Sequence, residues 1–232
     1  MALTDNIVSY WKLDGNSTDS HGSNNGTDTS ITYSAGNGKI VQGGGFNGTT
    51  SLIYSQSASF DFFGTANLTQ SFWIKVSSLG IAGNFYGISM IQEGTNVTIY
   101  DKGIQLLNNG SILFYGYDGA VKKATSATGV IVVGTWYHIT GTYDGTNLKI
   151  YVDGDLKATT ACSSTYNFTN PRLVFSHVTT VGGNNKFFNG AIDEVGLWSR
   201  ALSAAEVTSL YNAGVGLAYP FTGNTTNFFQ FM

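Results

Sequence analysis

Charge is what this sequence has least of. Only 11% of its 232 residues are Asp, Glu, Lys or Arg, and the net charge is −3. The 11 Lys and Arg residues are scattered, with Lys122-Lys123 the one adjacent pair. No basic patch is there to neutralise phosphates, which argues against nucleic acid as a partner. Cysteine is almost missing. Cys162 stands alone, which excludes an intrachain disulfide and a thiolate metal site and leaves it the role of a small buried hydrophobe. No apolar run approaches the roughly 20 residues of a transmembrane helix, so membrane insertion is not expected. The opening MALTDNIVSYWKLDG has neither a basic nor an apolar leader region, so no secretory signal is expected. The Asn-x-Ser/Thr triplets at Asn16, Asn47, Asn67 and Asn96 then reflect composition rather than glycosylation.

What is present is apolar, aromatic and rich in glycine. Hydrophobic residues make up 42% of the chain, with 15 Phe, 13 Tyr and 30 Gly, so the composition is that of a folded domain with a sizeable core. With so few charges, the polar surface falls to Ser, Thr, Asn and Gly, neutral groups suited to sugars or to other subunits.

The patterning has a period of two. Leu148, Ile150 and Val152 alternate with Lys149 and Tyr151, and Trp136 to Tyr143 precedes them. Asp144-Gly145 and Asp153-Gly154 supply turns, so Gly134 to Thr160 reads as a three-stranded meander. Further strands are expected at Ile7–Leu13, Ser51–Tyr54, Leu68–Val76, Gly87–Gln92, Gly103–Leu107, Ser111–Tyr117, Arg172–Ser176 and Phe187–Trp198. Tyr10 and Trp11 should face opposite ways, as should the pairs Phe72/Ile74 and Trp73/Lys75. The stretch from Asp14 to Asp28 reads as a long loop. No βαβ pattern is present. One helix is signalled: Ser203-Ala204-Ala205-Glu206 has capping-box spacing, Val207, Leu210 and Tyr211 give an apolar face, and Gly214 marks its end. The reading is all-β: a sandwich over residues 1–214 with one short C-terminal helix, then an aromatic tail over 215–232.

One ordered set of short motifs is similar to a known family. It runs Tyr10-Trp11-x-Leu13-Asp14-Gly15-Asn16, Asp19-Ser20-x-Gly22, Phe46-Asn47-Gly48 and Ser71-Phe72-Trp73. It continues through Gly134-x-Trp136-Tyr137-His138, Tyr143-Asp144-Gly145 and Tyr151-Val152-Asp153-Gly154 to Ile192-Asp193-Glu194-Val195-x-Leu197-Trp198-x-Arg200-Ala201-Leu202-Ser203. Over Ile7 to Gly214 the chain resembles the laminin-G-like, concanavalin A-like lectin/glucanase family. The resemblance implies a jelly-roll sandwich of two antiparallel sheets. It also implies a structural Ca²⁺ where the first strand meets the last, with Asp14, Gly48 and Asp193 as ligands and Asp19 as an addition from the loop.

Related glucanases use a strand bearing Glu-x-Asp-x-x-Glu. This chain has three glutamates, Glu93, Glu194 and Glu206, no two within alternation distance, and strand alternation would send Asp193 and Glu194 to opposite faces. A catalytic role is therefore not expected, and His138 is read as structural. Sugar binding needs aromatic platforms, for which Trp73, Tyr115, Tyr117, Trp136 and Tyr151 are the candidates.

A lectin-like domain without a leader but with an aromatic tail fits a bacteriophage or viral virion protein, a capsid decoration or fibre-associated subunit, since members of the family occur there. Such a protein is made in the host cytoplasm and works outside it. On that reading the chain binds glycans, forms a homo-oligomer and docks on other virion subunits through Tyr219, Phe221, Phe228, Phe229 and Phe231. The alternatives are a purely structural virion protein and a free carbohydrate-binding module.

Overall fold

The alternation in the sequence resolves into two stacked antiparallel sheets. A computed structural model describes residues 1–63, 67–79, 85–93, 96–163, 168–179 and 185–222. The strands before residue 80 are β1 (Ile7–Trp11), β2 (Thr27–Thr29), β3 (Thr32–Ser34), β4 (Gly43–Asn47), β5 (Leu52–Gln56) and β6 (Leu68–Val76). The middle holds β7 (Phe85–Glu93), β8 (Asn96–Leu107), β9 (Ile112–Tyr117) and β10 (Val121–Thr125). Next come β11 (Trp136–Tyr143), β12 (Asn147–Val152), β13 (Asp155–Ala161) and β14 (Pro171–Phe175). The chain then forms β15 (His177–Thr179), β16 (Asn185–Phe187), β17 (Asn189–Trp198) and α1 (Ala204–Tyr211).

The first sheet runs β13-β12-β11-β6-β17-β4-β3. One edge of β17 is shared: β4 pairs with residues from Asn189 to Ile192, and β1 with residues from Val195 to Trp198. The second sheet runs β10-β9-β8-β7-β14-β5-β2. Phe72, Ile74, Ile139, Leu148 and Ile150 from the first sheet meet Ile104, Phe114, Leu173 and Phe175 from the second in one buried core. This is a jelly-roll sandwich with a single short C-terminal helix. The small hairpin β15–β16 packs on β7.

The meander forms as its turns dictate. Asp153 and Gly154 both take positive φ, 54° and 83°, the geometry of the two-residue hairpin between β12 and β13. Tyr10 and Trp11 diverge as expected: Trp11 enters the main core, while Tyr10 joins Tyr151, Trp198, Val207 and Leu210 in a second cluster beneath α1. The capping box at Ser203 and Glu206 is formed. The helix stop differs from expectation. It lies at Asn212, in the left-handed region at φ 49°, with its side-chain Nδ2 donating to the Gly216 carbonyl at 2.8 Å. Asn tolerates this conformation because its amide bonds locally, so the turn is made before Gly214 is reached.

The short strands β2, β3, β4, β10 and β15 fall outside the sequence expectations. A second correction concerns β17. Its register shifts between Asp193 and Gly196, and Glu194 has φ 52°. This bulge spends one residue without alternation. Asp193 and Glu194 therefore lie on the same, outward face of the first sheet.

Candidate functional site

The outward face of the first sheet is built in transverse rows, and one row lies open. Thr32, Gly45, Ala191, Lys75 and Trp136 follow one another across β3, β4, β17, β6 and β11 in direct register. At ~4.8 Å per strand the row spans roughly 19 Å. Its middle is low because Gly45 and Ala191 have almost no side chain. The result is a groove of about 310 Å³, also lined by Ser30, Asn37 and Ser77. A Cβ at Gly45 would stand 2.3 Å from Asn37 Nδ2, so glycine is what lets the far wall close in.

The groove walls are polar and nearly neutral. Asn37 Nδ2 donates to the Thr32 carbonyl at 2.9 Å. The hydroxyls of Ser30, Thr32 and Ser77 carry no hydrogen bond among the described residues. Lys75 donates from Nζ to the Gly36 carbonyl at 3.0 Å, and its ammonium lies 5.1 Å from the centre of the Trp136 ring. Trp136 is half-buried. An aromatic face, unspent hydroxyls and a floor with little side chain suit a small polar ligand with apolar C–H surface.

Further along the same face the rows are roofed by α1 and residues 215–222. Tyr10, Gly196, Ser71, Thr140 and Tyr151 form one such row. Tyr10 donates to Glu194 Oε2 at 2.6 Å, and Ser71 Oγ lies 2.9 Å from His138 Nε2. Glu194 Oε1 and His138 Nδ1 have no hydrogen-bond partner among the described residues. Both residues line a void of about 10 Å³ with Ser71, Trp73 and Leu217.

Burial sets the proton affinities here. It pushes Glu194 up to about 7 and Asp193 up to about 8, and it holds His138 down to about 3. The Ser71–His138 contact has no acid on His138 Nδ1 among the described residues and only the void of about 10 Å³ beside the serine, so it has the geometry of a packed polar pair rather than of an activated nucleophile.

Three of the aromatic residues read from the sequence as sugar platforms are buried, which corrects that expectation. Trp73 is 2% exposed and lies between His138, Tyr211 and the Lys39 ammonium. Tyr151 is 4% exposed beneath α1, and Tyr115 is 3% exposed with its hydroxyl directed at Met90 Sδ. A ring with no free face cannot stack on a sugar. Tyr117 is 42% exposed, but it sits on β9 of the other sheet. Trp136 is the aromatic candidate that the structure places beside the groove. Lys75 was legible only as sharing a face with Trp73. The small pair Gly45 and Ala191 carried no sequence signal, because β3 and the register of β4 on β17 were not readable.

The residues read as calcium ligands are turned to backbone N–H groups. Asp14 accepts from Gln42 N at 2.9 Å, and Asp193 accepts from Lys39 N and Ile40 N at 2.7 and 2.9 Å, so both hold the loop 39–42. Asp19 accepts from Tyr10, His21, Gly22 and Asn24 N, each at 3.0 Å. Burial alone would raise its pKa, but these four bonds outweigh it and hold the carboxyl below its ordinary value. Gly48 donates to the Phe188 carbonyl at the far end of β4. Among the described residues, no group of three or more His, Cys, Asp or Glu side chains is gathered for a metal.

Two of the docking residues pack against their own domain while staying half-exposed. Tyr219 packs 5.5 Å from Tyr10 and Phe221 packs 5.3 Å from it, and Phe221 also stacks on Trp198 at 6.0 Å. Both are occupied by their own domain. Phe228, Phe229 and Phe231 lie outside the described residues.

Comparison with known proteins follows the same lines. In fold the chain is similar to domain 4 of AbnA, an extracellular arabinanase from Geobacillus stearothermophilus, in complex with arabinotriose. That match has 20% identity and a TM-score of 0.68, and it covers 87% of this chain and 96% of the other. The chain is also similar to the binding domain of Paraclostridial Mosquitocidal Protein 1, at 21% identity and TM-score 0.72, over 92% of this chain and 53% of that one. A third similar structure is the binding domain of botulinum neurotoxin DC in complex with SialylT, at 16% identity and TM-score 0.65, over 91% and 52%. The chain thus spans about half of each toxin binding domain. These identities speak to fold alone. No curated protein sequence matches the chain. A family model does match, over residues 46–208, from the Phe46-Asn47-Gly48 motif through the bulged β17 to the capped helix. On that match, which takes in most of the sandwich just described, the chain belongs to the concanavalin A-like lectin/glucanase superfamily.

Proposed function

We propose that this domain is a non-catalytic carbohydrate-binding module whose site is the groove on the outward face of the first sheet. The observation that carries this reading is the registered row Thr32–Gly45–Ala191–Lys75–Trp136. It sets an aromatic ring and free hydroxyls around a floor that has almost no side chain. That domain 4 of AbnA is known with arabinotriose bound lends support. The buried setting of Asp193 and Glu194 supports a site without catalytic carboxylates. Isothermal titration against an oligosaccharide panel tests it. Trp136→Ala and Thr32→Val should each weaken the best binder about tenfold or more while leaving the melting temperature near that of the wild type. Unchanged affinity in both variants would sink the groove as the site.

The finer part of the proposal places the module on a virion, as a capsid decoration or fibre-associated subunit. The low charge and neutral surface support this reading. Since Tyr219 and Phe221 are occupied by their own domain, docking falls to residues 223–232. Removing residues 223–232 should leave the fold intact and abolish co-sedimentation with particles. Retained co-sedimentation would refute the docking role.

A further inference from the structure

We propose that the groove selects an acidic sugar, with the Lys75 ammonium meeting its carboxylate. This rests on the carbohydrate reading above and narrows it to a ligand class. Lys75 is the single charged residue among those lining the groove, and no described carboxylate lines it. A cation in an otherwise neutral, open groove attracts an anion through an interaction that salt screens.

The ammonium is also held in place rather than swinging free. Its stem crosses toward the Gly36 carbonyl, 3.0 Å away, while the Trp136 ring lies 5.1 Å from the same nitrogen. One of its three N–H bonds is spent on that carbonyl, which leaves donors for a ligand. The carboxylate of a pyranose bound in the groove would meet this donor where it sits over the Trp136 ring, and the sugar's hydroxyls would face Ser30, Thr32 and Ser77. A neutral sugar makes the same hydroxyl bonds but gains nothing from the charge. The lysine is therefore a specificity-determining group, not a general affinity one.

Two matched pairs of probes test this by isothermal titration: tri-galacturonate against its carboxyl-reduced form, and sialyllactose against its carboxyl methyl ester. In at least one pair the acid should bind about tenfold tighter than its neutral partner, and the pair that discriminates identifies the sugar acid. Lys75→Met should erase the preference, Lys75→Arg should keep most of it, and 500 mM salt should weaken it in the wild type. Equal affinities within both pairs, with binding still lowered by Trp136→Ala, overturn the acidic class and leave the carbohydrate reading standing. A preference that survives Lys75→Met or is indifferent to salt overturns the role of Lys75. No binding by any of the four probes overturns the acidic class, and a failure of the neutral panel as well removes the carbohydrate reading with it.

Discussion

Tyr10 and Glu194, 184 positions apart, share a hydrogen bond of 2.6 Å from the phenol to Oε2. It ties β1 to the bulge in β17 beneath the helix. The other carboxyl oxygen, Oε1, has no hydrogen-bond partner among the described residues. Tyr10→Phe keeps the ring and leaves Oε2 buried without a donor. The expected loss is ~1–3 kcal/mol, read from the midpoint of urea unfolding at constant m-value. A loss below a few tenths of a kcal/mol would mean that water reaches Glu194.

The same cluster predicts a pH dependence. Burial raises Glu194 to about 7 and Asp193 to about 8, above the values these groups take in an unfolded chain. The folded state therefore holds protons that the unfolded state has released. Stability from these two groups is fully present below their unfolded pKa values and is lost as pH rises through 7 and 8. His138 works in the opposite sense. Buried and held at about 3, it adds stability above its ordinary 6.5 that is lost as pH falls toward 3. The two effects oppose each other below pH 6.5, so the clean window is pH 6.5 to 8. There the melting temperature should fall as pH rises, and Glu194→Gln should flatten that fall by roughly a third or more. A melting temperature that is flat or rising across the window would contradict the burial of both carboxyls. Tyr10→Phe should move the window upward, because the phenol's hydrogen bond favours the ionised Glu194.

These two residues also show where sequence reading stops. A period of two is enough to send Phe72 and Ile74 to one face and Trp73 and Lys75 to the other, because each side chain has one of two faces to choose. It fails at Asp193 and Glu194. A bulge is a choice of backbone conformation made by cross-strand packing, and Glu194 at φ 52° is not a residue that announces it. The period likewise says nothing about what covers an outward face. Trp73 and Tyr151 were candidates for sugar platforms, but α1 and residues 215–222 return over them. The groove itself depends on the register of four neighbouring strand pairs. Register is set by contacts distant in sequence, so Lys75 and Gly45 could not be seen as neighbours of one row.

The return of residues 215–222 has an energetic consequence. Tyr219 also sits 3.0 Å from His21 Nδ1 through its hydroxyl, and Phe221 stacks on Trp198. Both rings are half-buried. Phe221→Ala should cost ~1–3 kcal/mol, less than a fully buried phenylalanine, because part of the ring already faces water. Shortening the chain to end at Gly216 removes both rings and uncovers Tyr10 and Trp198, so it should lower the melting temperature more than Phe221→Ala does. A truncated chain as stable as the intact one would show that the segment does not hold the cluster closed.

A last prediction concerns the ion pair inside the sandwich. Lys102 Nζ lies 2.9 Å from Asp101 Oδ2, and both side chains are fully buried. The lysine also donates to the Phe63 carbonyl at 2.7 Å and lies 5.1 Å from the Tyr143 ring centre, while Asp101 Oδ1 accepts from Tyr117 N at 2.8 Å. Adjacent residues do not share a face in a regular strand, and the positive φ of Lys102, 49°, is what turns the two together. Lys102→Met removes the cation that lies against the fully buried Asp101 carboxylate. The expected loss is ~3–5 kcal/mol. The contact makes a second, sharper claim: Asp101→Asn combined with Lys102→Met should be less destabilised than the sum of the two single variants, because the attraction that each single variant breaks can be lost only once. Strict additivity in the double-mutant cycle would mean that the two side chains act independently.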